Sequence, residues 1–299
     1  MNAEQLVKAP LVRALIAGYP GAGKTGALAS LANAGFKLRI LDFDGNPESV
    51  AQYTLPEFRK NIDVIVCEDK FTLQGHTASV QGAPTAFPNA WKALDLWKYE
   101  DAENGVLDEK LGKKYTNLGS SKDWGSDTIV VLDGTTGMAS AAMDYARFGM
   151  NKTMMNTTRA VWGVASANME AFLKRCTSMH NKHHFICIAH LTAIGPEGEA
   201  DGDSDLMKQL KAEKAEIIPT RLYASGVGRK LPQQIAGHFP IAITAEIRTR
   251  GAKSTRILTA QAREDQTTKL PIADVTGLGD LTVEDGMLKI FDKLGVPRP

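Results

Sequence analysis

Gly18, Tyr19, Pro20, Gly21, Ala22, Gly23, Lys24 and Thr25 (GYPGAGKT) match the pattern G-x-x-x-x-G-K-[S/T] at every fixed position. The run before them, residues 11–17 (LVRALIA), is short, largely apolar and bounded by Pro10 and Gly18, which predicts a buried strand. Residues 24–34 (KTGALASLANA) combine helix formers with small side chains and stop at Gly35, which predicts a helix that opens on Lys24. A glycine-rich turn between such a strand and helix lets backbone N–H groups face a polyphosphate, and the helix N-terminus adds a favourable dipole. In that setting Lys24 supplies charge to the β and γ phosphates and the Thr25 hydroxyl is a ligand for Mg²⁺. The expected ligands are therefore ATP and Mg²⁺, cradled by positions 18 to 25 together with Gly26, and the expected activity is Mg-dependent ATP hydrolysis.

Further strands follow. Residues 38–42 (LRILD), 62–67 (IDVIVC), 128–133 (TIVVLD) and 185–190 (FICIAH) are short apolar runs separated by stretches of helical character, which argues for a parallel sheet with crossover helices. Asp133 closes the third of these, where a carboxylate can orient the water shell of Mg²⁺. Asp42 and Asp44 follow the first, on the strand edge that also carries the glycine loop. Asp44 reads either as the group that positions or deprotonates the attacking water or as a turn residue of DGNP. His190 ends FICIAH and reads either as a sensor of the γ-phosphate or as a hydrogen-bonded histidine at the sheet rim. His183 and His184 stand at the opposite end of that strand and are expected at the surface rather than on a metal.

Helices are expected over 89–98, 136–148, 159–177, 207–217 and 283–294, and an antiparallel hairpin over 241–249 and 255–260. Residues 71–124 are too long for a structureless loop and are expected to be an insertion with structure of its own in one domain spanning 1–299. Residues 151–158 are short and polar, and residues 195–205 (GPEGEADGDSD) are acidic and glycine-rich. The 299 residues are 43% hydrophobic and 23% charged with net charge +1, so a core is affordable and no global basic field advertises nucleic acid. Three scattered cysteines argue against a disulfide framework or a zinc site and fit a reducing cytoplasm. No run approaches the ~18 apolar residues of a membrane span.

Arg248, Arg250, Lys253 and Arg256 form the densest basic cluster, opposed by Glu246. Three readings stay open: arginines reaching a neighbouring subunit's γ-phosphate, a DNA-facing patch, and a solvated hairpin.

The order of these parts — glycine loop, LDFDGN, IVVLDG, ICIAH and a late basic hairpin — resembles the RecA-like core. LDFDGNPE, residues 228–239 (GRKLPQQIAGHF) and residues 278–281 (LGDL) resemble phage-encoded RecA-like ATPases of single-strand annealing and recombination. The resemblance implies an α/β, RecA-like P-loop fold, mostly parallel with an antiparallel C-terminal extension. It implies a catalytic role for Asp44, one methylene shorter than the glutamate that many RecA-like proteins place there, and it favours Arg248 and Arg250 as fingers acting between subunits. The partners it implies are further copies of the chain, single-stranded DNA and a single-strand DNA-binding protein, with no membrane, in the bacterial host cytoplasm. A motor or a nucleotide-dependent assembly factor without annealing activity is the alternative.

Overall fold

The computed structural model describes residues 10–74, 76–150, 158–194, 221–251, 253–260, 268–270 and 280–299. Strand β1 (Arg13–Gly18) runs through loop 18–25 into a 3-10 turn (Gly26–Leu28) and helix α1 (Ala29–Asn33). Strand β2 (Lys37–Asp42), helix α2 (Glu48–Tyr53) and strand β3 (Ile62–Val66) follow. Residues 71–124 hold the hairpin β4 (Phe71–Gln74) and β5 (Thr77–Val80), helix α3 (Ala86–Asp95), and a three-stranded antiparallel sheet of β6 (Lys98–Glu100), β7 (Val106–Asp108) and β8 (Lys113–Asn117). Strand β9 (Thr128–Asp133), helices α4 (Thr135–Gly149) and α5 (Arg159–Cys176), and strands β10 (His184–Ile194) and β11 (Arg221–Ala224) come next. The chain then forms α6 (Lys230–Ile235), β12 (Ile241–Arg250), β13 (Lys253–Thr259), β14 (Asp280–Thr282) and α7 (Gly286–Lys293).

Nine strands make one sheet, ordered β14-β13-β12-β1-β10-β9-β2-β3 with β11 added on β10. Every pairing from β12 across to β3 is parallel. The β12/β13, β13/β14 and β10/β11 pairings are antiparallel. The chain is thus α/β with a large, mostly parallel mixed sheet. The reason lies in strands such as TIVVLD, buried along its whole length. A strand apolar at successive positions needs cover on both faces, which helices provide in a parallel sheet. Val130 and Leu132 face the core under α3, α4 and α5, while Ile129 and Val131 face the core shared with α1 and α7. Segment 71–124 joins the first of these cores through Trp97, fully buried and edge-on to Trp124 at 5.6 Å. The Tyr99 hydroxyl bonds Asp63 of β3, which also pairs with Arg39 of β2. Residues 228–239 supply α6 and Phe239, whose ring stacks on Phe185 at 5.9 Å.

Three expectations need adjustment. The helix after the glycine loop does not start as an α-helix: its first turn is 3-10, with Leu28 N–H bonded to Thr25 O, and the α-helix proper covers five residues. Gly26 is a weak helix former, and the i→i+3 bond tightens the turn that leaves the loop. Strand β10 runs past His190 to Ile194 because the short β11, too brief to read from sequence, pairs with it. His183 and His184 are not at the surface but 2% and 1% exposed. His184 accepts from Val12 N–H at 2.9 Å, reaches Ser126 O at 2.9 Å, and packs against Phe36 and Phe291. The expected helix at 207–217 and the acidic segment 195–205 lie outside the described residues, as does most of 151–158.

Burial holds the His184 ring at a pKa of about 4, down from 6.5. The folded ring refuses a proton that the unfolded ring accepts, so this stability is present above pH 6.5 and is lost as pH falls toward 4. His184→Gln keeps a donor and an acceptor without a titrating ring. Relative to the parent chain it should remove about 2 kcal/mol of the acid-side loss, read from urea unfolding at a series of pH values between 7 and 4.5. An unchanged acid limb would refute the assignment.

Candidate functional site

Parallel pairing in register brings the strand tips together. Gly18 is opposite His190, Asp42 is opposite Asp133, and Ile188 is opposite Asp133 on its other side. The side chains that the sequence singles out around loop 18–25 therefore converge. Thr25 Oγ1 donates to Asp133 Oδ2 at 2.8 Å, tying the end of the loop to the tip of β9. Lys24 Nζ donates to the carbonyls of Gly18 and Tyr19, each at 3.0 Å, and lies 3.3 Å from His190 Nδ1. An ammonium has only donors, so Nδ1 accepts and the ring proton sits on Nε2. That nitrogen is 3.2 Å from Asp44 Oδ2. Lys24, His190 and Asp44 form one continuous chain of polar contacts across the mouth of β10.

Two buried aspartates behave differently. Asp133 is 4% exposed, and burial, reinforced by Asp44 and Asp42, raises its pKa to about 7 against the opposing Thr25 bond and Lys24 charge. Asp42 is also raised by burial, while its Oδ1 accepts from the N–H groups of Asp44 and Gly45 at 3.0 Å each. It thus shapes the turn that presents Asp44, and its Oδ2 is buried with no hydrogen-bond partner among the described residues. Burial lowers Lys24, and Asp133 and Asp44 oppose that shift.

Loop and helix glycines make room for this cluster. Gly134 has φ +96°, and a Cβ there would stand 2.1 Å from Asp44 Oδ1. At Gly137 a Cβ would meet Phe43 O at 2.2 Å. The first turn of α4 is therefore pressed against the Phe43–Asp44 corner, a packing constraint that only the fold makes visible. Ser225, just past β11, bonds the hydroxyls of Thr135 at 2.9 Å and Thr136 at 2.6 Å, and its N–H donates to His190 O at 2.8 Å. This tether between β10 and α4 has no signature in the sequence.

The residues around loop 18–25 line an open cleft of about 630 Å³ with Lys24, Thr25, Asp44, Asp133, His190 and Arg256 in its wall. The hairpin cations separate. Arg248 Nε donates to Glu246 Oε1 at 2.8 Å, and its Nη1 pairs with Asp280 of β14. Arg250 ends β12 opposite Lys253, and only its backbone is described. Arg256, grouped by sequence with the others, reaches the loop itself: its Nε donates to Gly21 O at 2.9 Å and its Nη1 to the Tyr53 hydroxyl at 3.3 Å. Tyr53 has no motif around it to mark it. Among the described residues no group of three or more His, Cys, Asp or Glu could hold a metal, so a cation here would rely on one hydroxyl, one carboxylate, water and its ligand. Among them, too, no helix is long and apolar enough to cross a membrane.

The unfolded Asp133 carboxyl ionises near pH 3.8 and the folded one near 7, so its cost to stability grows as pH rises across that window. Asp133→Asn keeps an acceptor for Thr25 and carries no charge. It should stabilise the ligand-free chain by about 2 kcal/mol at pH 8 and by far less at pH 4.5, measured by thermal unfolding at both values. Equal effects at the two pH values would show that burial of charge is not the cause. No protein-family model matches the chain, and comparison with curated proteins finds no match.

Proposed function

We propose that the chain is a RecA-like P-loop ATPase that binds Mg-ATP in the cleft around loop 18–25 and hydrolyses it. The observation that carries this reading is the convergence of Lys24, Thr25, Asp133, His190 and Asp44 at one end of a parallel sheet. The donor set fits the group. The Thr25 hydroxyl and Asp133 Oδ2, 2.8 Å apart, are the oxygen donors that would hold a Mg²⁺ together with water and phosphate. Mg-ATP supplies the phosphoryl group and the metal's charge neutralisation. Lys24 provides the cation at the β/γ end. It holds its own loop carbonyls in the ligand-free state, so it exchanges those bonds for phosphate oxygens rather than emerging from bulk water. Asp44 Oδ2 is the proton acceptor for the attacking water. His190 Nε2–H orients that carboxylate and links it to Lys24.

The strand order supports the RecA-like version of the reading. Strand β10, which carries His190, lies between the P-loop strand β1 and the acidic strand β9, with β12 and its antiparallel extension on the far side of β1. The polymer acted on is single-stranded DNA in phage recombination or annealing, supported by the resemblance of LDFDGNPE and GRKLPQQIAGHF to that family. Assembly into oligomers is supported by the same resemblance. Arg248 would serve as a finger to a neighbouring subunit after exchanging its contacts with Glu246 and Asp280 for phosphate.

Lys24→Ala should abolish tight Mg-ATP binding in calorimetry while the unfolding transition survives. Asp44→Asn should keep binding and lose roughly 10²–10⁴-fold in steady-state turnover, the usual worth of a general base. Turnover of the parent chain is to be measured with and without single-stranded DNA. Full hydrolysis by Lys24→Ala would sink the ATPase reading, and parent-like turnover by Asp44→Asn would return Asp44 to a turn residue. ATP binding with barely any turnover, with or without DNA, would favour the assembly-factor alternative.

A further inference from the structure

Strand β13 and the residue after β14 form a roof on loop 18–25. Gly23 has φ +86°, and a Cβ there would stand 2.9 Å from Arg256 Cδ and 3.1 Å from Val283 Cγ1. From that roof Arg256 bridges Gly21 O, on one side of the loop mouth, to the Tyr53 hydroxyl at the end of α2 on the other. The Tyr53 ring in turn lies over Gly26, where a Cβ would meet Tyr53 Cδ2 at 3.1 Å. Arg256 and Tyr53 both line the cleft that holds Lys24 and Asp133. Arg248, on the same hairpin, is neutralised by two carboxylates; Arg256 meets a carbonyl and a phenol, and among the described residues no carboxylate.

Lys24, Thr25, His190 and Asp133 mark the phosphate end of the proposed site. Gly26 is the next residue along the chain, and Tyr53 covers it, 52% exposed. The Tyr53–Arg256 pair therefore stands where the loop leaves the phosphates behind. A phenol ring and a planar guanidinium are both side-chain surfaces that stack on a nucleobase. The two bonds that Arg256 makes also leave most of the five N–H donors of a guanidinium for a ligand.

We propose that Arg256 is a nucleotide-contacting residue acting within its own subunit, which with Tyr53 clamps the nucleoside end of the bound nucleotide. The inference rests on the P-loop reading of the same cleft. It separates the work of the hairpin: Arg248 is held away by acidic partners, whereas Arg256 touches the loop and gives β13 a direct contact with the cleft. It also makes the site selective for a nucleoside over bare polyphosphate, through a residue that the glycine-loop motif does not contain.

The test is calorimetric titration of the full chain with Mg-ADP and, separately, with Mg-tripolyphosphate, which has phosphates and no nucleoside. Arg256→Ala should weaken ADP about tenfold, in the range of one desolvated cation–π contact, and leave tripolyphosphate within about twofold. Arg256→Lys keeps the charge and the stem but not the plane. It should recover little of the ADP affinity, and it decides the matter if the alanine variant fails to fold. Equal losses for ADP and tripolyphosphate would mean a phosphate contact and overturn the clamp. A parent chain that binds both probes, with Arg256→Lys indistinguishable from it, overturns this inference alone. A parent chain that binds neither overturns the P-loop reading and the clamp with it.

Discussion

The hydrogen bond from Thr25 to Asp133, 2.8 Å long, joins the loop after β1 to the tip of β9 across the intervening strand β10. Its donor ends a glycine-rich turn and its acceptor is a carboxylate that burial drives up to about 7. Neither end would be tolerable alone. A buried carboxylate needs a donor, and a loop that turns through Gly21 and Gly23 at positive φ needs an anchor for its last residue. The contact exists because the parallel ladders set Asp42 and Asp133 level with Ile188, two residues before the level shared by Gly18 and His190, so that the loop leaving β1 passes over the end of β9. A register slip of one residue would turn Asp133 toward the opposite face and leave Thr25 without its acceptor.

Around that bond the structure concentrates unfavourable electrostatics. Asp42, Asp44 and Asp133 are close enough for Asp44 to raise both of the others, and Lys24 is pulled down by burial between them. In the ligand-free chain the cluster is offset locally: Lys24 bonds its own loop carbonyls, Asp42 takes two backbone N–H groups, and Asp44 takes the imidazole. Such self-satisfied charge is stored at a site rather than spread through a core; under the proposed function a polyphosphate and a cation would supply its replacement partners. The cost falls on the stability of the ligand-free chain, a trade-off common where function needs strained electrostatics.

The C-terminal strands extend the sheet on the β1 side and bring a second layer of chemistry to the loop. Gly18 makes this possible: its bare Cα lets Ala245 O of β12 approach to within 2.3 Å of where a Cβ would be. Gly23 does the same for Arg256 and Val283. The glycines of GYPGAGKT therefore serve the tertiary packing of the hairpin as well as the conformation of the turn.

The loop 18–25, the strand tips at Asp42 and Asp133, the strand that carries His190, the antiparallel hairpin and the α/β class were all legible in the sequence. Each is a local pattern: a spacing of glycines, a run of β-branched residues ending in a charge, a basic turn between two strands. What the tertiary structure alone decided concerns pairs distant in the chain. Arg256 could not be told from Arg248 by composition, because the difference lies in Glu246 and Asp280 beside one and Gly21 and Tyr53 beside the other. His184 looked like a surface residue because a histidine carries no record of the rings that enclose it, and Phe36 and Phe291 come from far along the chain. Gly134, Ser225 and Tyr53 are silent for the same reason. Local pattern specifies backbone conformation and the order of strands, whereas the partner of a side chain is set by where the packed sheet brings the ends of those strands together.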